Sequence, residues 1–108
     1  MVKLFVYGSL APGESNHFIL KKMDGKWEKA HVFGKLYDEG WGARMGFPGI
    51  RFDEEKERVN GYLFHFDNRK MDWDKLDEFE GDAYQRMEVP VYPESGQSSV
   101  IAFVYALK

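Results

Sequence analysis

The residue with the clearest capacity for acid/base chemistry is Glu80, the last residue of a segment that the sequence predicts as a helix. The segment runs from Asp72 to Glu80, where Asp72 fits an N-cap and Gly81 fits a C-terminal stop. At about 100° per residue, Glu80 lies about 40° from the centre of the apolar stripe. A carboxylate on that face is partly buried, and desolvation raises its pKa toward the neutral range that a catalytic acid/base needs. The alternative is a frayed helix end at which Glu80 pairs with a lysine or an arginine.

The second candidate is the stretch Tyr7-Gly8-Ser9-Leu10, which follows an apolar run typical of a buried strand. Gly8 allows a sharp turn and a close approach of the backbone to a ligand. The amides of Ser9 and Leu10 can then point together into a small anion-binding concavity. The alternative is an ordinary turn from a strand into a loop. No Gly-Lys-Ser/Thr follows, so the stretch is not a P-loop.

The elements that must position these residues form an α+β arrangement in the order β-α-β-β-α-β-β. Strands are predicted at Lys3–Tyr7, Trp27–Tyr37, Val59–Phe66, about Tyr84–Tyr92 and Ser98–Leu107. A first helix is predicted to begin at a cap formed by Ser15 or Asn16 and to carry Phe18, Ile19, Leu20 and Met23, and a second helix is predicted over Asp72–Glu80. Gly40–Gly49 predicts a loop whose Trp41, Arg44 and Phe47 suit the wall of a pocket. We expect a mixed or curled sheet covered by two short helices, in a single domain over residues 1–108.

Composition limits the classes of function. Fifteen basic and eighteen acidic residues give a net charge of −3 without long runs of one sign, which argues against a nucleic-acid or anionic-membrane surface. No apolar run approaches the roughly 20 residues of a membrane helix, and the start of the chain does not resemble a signal peptide. We therefore expect a cytoplasmic protein that binds neither nucleic acid nor membranes. Its oligomeric state, monomer or homodimer, is open.

Several kinds of catalytic site find no support in the sequence. With no cysteine there is no thiolate nucleophile and no cysteine-based metal site. His17, His31 and His65 are scattered without the spacing of metal ligands, so we expect no metal. Ser9 has no evident His and Asp partners for a hydrolase triad.

Taken together and in order, the motifs resemble those of the γ-glutamylcyclotransferase-like family, including its AIG2-like and BtrG-like branches, over nearly the whole chain. They are Val6-Tyr7-Gly8-Ser9-Leu10, Pro12-Gly13-Glu14-Ser15-Asn16-His17, Gly34-Lys35-Leu36-Tyr37-Asp38, Phe47-Pro48-Gly49-Ile50, Gly61-Tyr62-Leu63-Phe64 and Leu76-Asp77-Glu78-Phe79-Glu80-Gly81, followed by Tyr84-Gln85-Arg86. The resemblance implies a small mixed, barrel-like β-sheet with two or more short flanking helices and a cavity at the mouth of the barrel.

The resemblance also implies roles for individual residues. Glu80 matches the catalytic glutamate of the family, and the loop Tyr7-Gly8-Ser9-Leu10 would hold the α-amino and α-carboxylate groups of a γ-glutamyl substrate through its backbone. Further substrate-binding residues are expected on the late strands, at Tyr84, Arg86 and Tyr105. The implied reaction closes 5-oxoproline by attack of the α-amine on its own γ-carbonyl, expels an amine or amino acid, and calls for no metal or organic cofactor.

Other functions remain open at this stage. The stretch Trp41–Phe47 departs from many family members and should border the leaving group, so the substrate is undetermined. A non-catalytic module that binds a small amino-acid-like ligand would keep the cavity, whereas an amidase in which Glu80 activates water would release free glutamate. A structural or nucleic-acid-binding role lacks a basic patch.

Overall fold

The computed structural model describes most of the strands and the helix that carries Glu80. The described residues are 2–8, 11–14, 17, 20, 23, 25–37, 49–52, 57–67, 72–96 and 98–108. The elements are β1 (Val2–Val6), β2 (Gly25–Tyr37), β3 (Gly49–Arg51), β4 (Glu57–Phe66), α1 (Trp73–Glu80), β5 (Tyr84–Pro93) and β6 (Val100–Leu107). Among the described residues, no helix is long and apolar enough to cross a membrane.

Five of the strands close into a mixed barrel. Their order is β2-β4-β1-β6-β5, and the barrel is closed by a short antiparallel pairing of β2 with β5, where Ala30 lies opposite Pro93. β1 and β6 form a parallel pair, whereas the other pairs are antiparallel. The short β3 extends the sheet beside the end of β2. The α+β, barrel-like fold class is confirmed, with one helix within the described part of the chain.

Two apolar clusters lie on the two faces of this sheet. One draws its buried side chains from the strands alone, among them Phe5, Leu63 and Val104, and therefore fills the barrel. The other includes Leu76 of α1 and faces the opposite side of β1 and β4. The alternation of residues along β1 explains the division, because successive side chains of a strand point to opposite faces. The helix is thus packed on the outside of the barrel.

One close approach of two strands depends on a glycine. A Cβ atom at Gly61 of β4 would lie 2.4 Å from the carbonyl oxygen of Val6 and 2.6 Å from the ring of Phe5. Any larger side chain would therefore push β4 away from the end of β1. This contact lies directly before Tyr7, so it helps to set the position of a candidate site residue.

Most of the predicted elements are found, and one strand was missed. The predicted strands and the Glu80 helix are present with boundaries shifted by one or two residues. The loop predicted over Gly40–Gly49 ends one residue too late, because Gly49 begins β3, which pairs with Lys35–Tyr37. The predicted pocket-wall residues Trp41, Arg44 and Phe47 lie outside the described residues.

The helix predicted from Ser15 or Asn16 also lies largely outside the described residues. The residues that are described in this stretch are joined by successive backbone hydrogen bonds between residues three apart. These include Ala11 N to Gly8 O at 3.0 Å and Leu20 N to His17 O at 3.0 Å. Leu20 is buried against the cluster outside the barrel.

Candidate active site

Glu80 is held at the end of α1 by the two caps of that helix. The side chain of Asp72 accepts a hydrogen bond from the Lys75 amide at 3.1 Å, which begins the helix. The Gly81 amide donates to the Asp77 carbonyl at 3.0 Å, and Gly81 has φ 84° and ψ −177°, which glycine adopts far more easily than other residues. The helix therefore ends directly after Glu80 and the chain turns away toward β5.

The environment of Glu80 suits a group that exchanges protons near neutral pH. Its side chain is half-buried, and burial raises the pKa of the Glu80 carboxyl from 4.5 to about 7. Asp74 and Glu78 on the same helix are exposed. One of the acids of α1 thus lies in the protein while two others face water, which agrees with the angles around the helix axis.

Tyr7 lies beside Glu80 and joins three strands. Its hydroxyl donates to the Tyr105 carbonyl at 2.8 Å and accepts from the Ile50 amide at 3.0 Å. Burial raises the pKa of the Tyr7 hydroxyl, the Ile50 amide opposes this effect, and the negative charge of Glu80 adds to it. Tyr84 contributes in the same direction as Glu80. Tyr7 is therefore within electrostatic range of Glu80 and Tyr84 at the end of the barrel where β1 and β6 finish.

The predicted binding loop is described in part. The Gly8 carbonyl accepts a hydrogen bond from the Ala11 amide at 3.0 Å, so a turn follows β1. Ser9 and Leu10 lie outside the described residues, and the predicted anion-binding amides lie there too. The structure therefore shows where this loop begins, at Tyr7 and Gly8 directly after β1.

Tyr84, Arg86 and Tyr105 line one surface cavity of about 540 Å³ together with Asp77. The hydroxyl of Tyr105 donates to Asp77 Oδ1 at 2.5 Å, and Arg86 Nη1 lies 3.3 Å from the same oxygen. The guanidinium of Arg86 also covers the ring of Trp73 at 4.3 Å. The polar ends of Arg86 and Tyr105 thus converge on one carboxylate of α1.

Glu80 does not line this cavity, although it lies close to Asp77 on the helix surface. Asp77 and Glu78, which line the cavity, lie about 60° and 160° around the helix axis from Glu80. The structure therefore divides the predicted site residues into two groups. Tyr7 and Glu80 lie at the end of the barrel, and Arg86 and the Tyr105 hydroxyl lie with Asp77. Tyr84 lines the cavity of the second group and interacts electrostatically with Tyr7 of the first.

Asp77 is a polar residue of this site for which the sequence analysis predicts no role. It stands three residues before Glu80, so it lies close to Glu80 on the helix surface. That spacing was visible in the sequence, but its partners were not, because Tyr105 is 28 residues further along the chain.

The three histidines have partners of other kinds. His65 Nε2 lies 2.6 Å from Glu28 Oε2, His31 Nδ1 is hydrogen-bonded to Glu94 Oε1, and the His17 ring meets the edge of Trp27 with centroids 5.1 Å apart. Within the described ranges, no three His, Asp or Glu side chains come together as a metal site would require.

Comparison with known proteins supports the assignment of a family. The family described as "Gamma-glutamyl cyclotransferase, AIG2-like" matches residues 4–108. The γ-L-glutamyl-butirosin B γ-glutamyl cyclotransferase of Niallia circulans is 31% identical over 111 residues, which span 97% of this chain and 67% of that protein.

Solved structures agree with this assignment. YkqA of Bacillus subtilis has a TM-score of 0.75 and 30% identity, and the match covers 99% of this chain but 36% of that longer one. An AIG2-like protein from Mus musculus has a TM-score of 0.74 and 26% identity over 98% of this chain and 76% of its own. The chain belongs to the AIG2-like γ-glutamyl cyclotransferase family, and both the family and the Niallia circulans relative support a γ-glutamyl cyclotransferase enzyme.

Proposed function

We propose that this protein cyclises the γ-glutamyl group of a small γ-glutamyl amine or amino acid to 5-oxoproline and releases the amine, with Glu80 as the single acid/base. The observation that carries the proposal is the half-buried carboxyl of Glu80, whose pKa is raised to about 7 by burial. A group with that pKa takes up and gives back a proton at neutral pH, which is what this reaction needs twice.

The proposed steps balance without water or a redox partner. The α-ammonium of the substrate gives one proton to the Glu80 carboxylate, and the freed amine attacks the γ-carbonyl carbon of the same molecule. Glu80 returns this proton to the leaving nitrogen as the bond between that nitrogen and the γ-carbon breaks. The ring nitrogen then still carries one proton more than it has in 5-oxoproline, so Glu80 takes up this second proton and passes it to the released amine, which departs as an ammonium ion. Because nucleophile and electrophile belong to one molecule, the protein mainly has to hold the substrate in a folded conformation.

Binding is assigned to groups near Glu80. The backbone of Tyr7-Gly8-Ser9-Leu10 would hold the α-amino and α-carboxylate groups, and one of its amides would stabilise the oxyanion that develops on the γ-carbonyl. The position of Tyr7 beside Glu80 supports this assignment, since the loop departs from Tyr7. Binding roles for Tyr84 and Arg86 are part of the same proposal.

The leaving group is the open part of the substrate. The Niallia circulans relative is named for γ-L-glutamyl-butirosin B, and a γ-glutamyl amine or amino acid of another kind would undergo the same reaction. We propose a small-molecule substrate and a cytoplasmic location for this protein.

The identity of the product tests this function. The protein would be incubated in H₂¹⁸O with a panel of γ-glutamyl amino acids, γ-glutamyl amines and glutathione, and the products would be analysed by mass spectrometry. Cyclisation predicts 5-oxoproline without ¹⁸O, because water takes no part in the reaction. Free glutamate containing ¹⁸O would show a hydrolase instead. No product from any compound, with ligand binding retained, would favour a non-catalytic binding module.

A further inference from the structure

One residue of β6 contacts both halves of the candidate site. The Tyr105 backbone carbonyl accepts the hydroxyl of Tyr7 at 2.8 Å, while the Tyr105 hydroxyl donates to Asp77 at 2.5 Å. Tyr7 lies beside Glu80, and Asp77 lies one turn before Glu80 on α1. A chain of contacts therefore runs from Tyr7 through Tyr105 and Asp77 to the helix that carries Glu80.

Asp77 fixes the last turn of α1 in three ways. Its carboxylate accepts a hydrogen bond from the Tyr105 hydroxyl, and the same Oδ1 forms an ion pair with Arg86 Nη1 at 3.3 Å. Its backbone carbonyl accepts a hydrogen bond from the Gly81 amide at 3.0 Å. Hydrogen bonds to an ionised carboxylate are shorter and stronger than bonds between neutral groups. The side chain thus attaches the helix to β6 and β5, and the backbone fixes its end.

The helix depends on such contacts for its position. α1 has eight residues, and helices of this length are not stable alone in water, so tertiary contacts must hold it. Leu76 is its one fully buried side chain and anchors the middle of the helix. The Asp77 contacts anchor the turn that ends at Glu80, where a small rotation would change the exposure of the carboxyl.

We propose that Tyr105 and Asp77 are positioning residues, which hold the last turn of α1 against the barrel so that the Glu80 carboxyl stays beside Tyr7. In this role the Tyr105 hydroxyl acts on the helix and does not bind the substrate. The inference rests on the proposed function, because the group that is positioned is the acid/base of that reaction.

Three substitutions separate positioning from substrate binding. Tyr105→Phe removes the hydroxyl and keeps the ring and the backbone carbonyl that Tyr7 uses. Asp77→Ala removes the acceptor, and alanine favours the helix, so a loss would not come from weaker helix propensity. Asp77→Asn keeps an oxygen that can accept from Tyr105 and should restore most of the function. Tyr92→Phe, which removes the hydroxyl of an exposed tyrosine on β5, is the matched control.

The first readout is the split between kcat and KM for 5-oxoproline release. We expect Tyr105→Phe and Asp77→Ala to lower kcat by about tenfold or more, since a misplaced catalytic group loses its attack geometry, with little change in KM. Asp77→Asn and Tyr92→Phe should stay close to the parent protein. A raised KM with unchanged kcat in Tyr105→Phe would assign Tyr105 to substrate binding and overturn the proposal.

The second readout does not require turnover and keeps the two proposals separate. The Glu80 carboxyl would be titrated by ¹³C NMR in each variant. In Tyr105→Phe and Asp77→Ala the helix end should loosen and the apparent pKa of Glu80 should fall by about one unit toward the value in water. An unchanged titration would overturn the positioning role. If the parent protein released no 5-oxoproline, the proposed function would fail, and the titration would still decide the positioning of Glu80.

Discussion

Replacing Glu80 with glutamine should make the protein more stable at and above neutral pH, and the gain should disappear in acid. Burial raises the pKa of Glu80 from 4.5 to about 7 in the folded protein. Between those values the folded protein keeps the proton while the unfolded chain, with its ordinary pKa, has lost it. The free energy of unfolding of the parent protein therefore falls as the pH rises through this range, and the full loss is reached above about pH 7.

The size of the effect follows from the same two values. At about 1.4 kcal/mol for each pKa unit, the difference corresponds to about 3 kcal/mol, and the partial exposure of Glu80 reduces this to about 2 kcal/mol. Glu80→Gln has no carboxyl at this position, so its free energy of unfolding does not fall for this reason as the pH rises. Its free energy of unfolding, relative to the parent protein, should therefore rise by about 2 kcal/mol between pH 4.5 and pH 8.

Urea denaturation at several pH values between 4.5 and 8 measures this difference directly. Glu78→Gln is the control, because it removes an exposed carboxylate from the same helix. Its effect on the free energy of unfolding measures the general effect of losing one acidic group and is subtracted from that of Glu80→Gln. A difference between Glu80→Gln and the parent protein that stays constant over this pH range would refute the claim that Glu80 is desolvated. A difference of the opposite sign would mean that a cation stabilises the carboxylate.

Three further results are expected. Gly81→Ala should lower the free energy of unfolding by about 1–3 kcal/mol in urea denaturation and also reduce kcat, because the backbone strain lies next to Glu80. Gly96→Ala, at φ 85° in the distant hairpin, should lower the free energy of unfolding without changing kcat. Equal kcat values for the two variants would contradict this prediction. Tyr7→Phe should cost about 1–3 kcal/mol in the same assay, because the Ile50 amide loses its acceptor, and an unchanged midpoint would count against this bond. The kcat/KM for 5-oxoproline release should fall as the pH drops below about 7, because protonated Glu80 cannot accept a proton, and a flat profile from pH 5 to 8 would argue against this base.

The helix that carries Glu80 could be predicted because its signals are local. Asp72 caps it, the apolar residues recur at helical spacing, and Gly81 ends it with a positive φ. The inward direction of Glu80 follows from the same spacing. No knowledge of the rest of the fold was needed to predict these features.

The features that were missed depend on contacts between distant parts of the chain. β3 has three residues, which is too short to show alternation, and it is a strand only because it pairs with the end of β2. The closure of the barrel through Ala30 and Pro93 likewise has no local signal. The role of Asp77 depends on Tyr105, which reaches it only when β6 packs behind α1. Spacing along the sequence could indicate candidate residues, but it could not show which of them meet.

The measurement that tests the central claim most directly is the rate of 5-oxoproline release by the parent protein, Glu80→Gln and Glu78→Gln, side by side on the γ-glutamyl panel. Both variants replace a carboxyl of α1 with an amide of nearly the same shape, so they differ in position alone. We predict that Glu80→Gln folds and releases no 5-oxoproline above background, while Glu78→Gln keeps the rate of the parent protein. Release by folded Glu80→Gln at the rate of the parent protein would contradict the assignment of Glu80 as the acid/base.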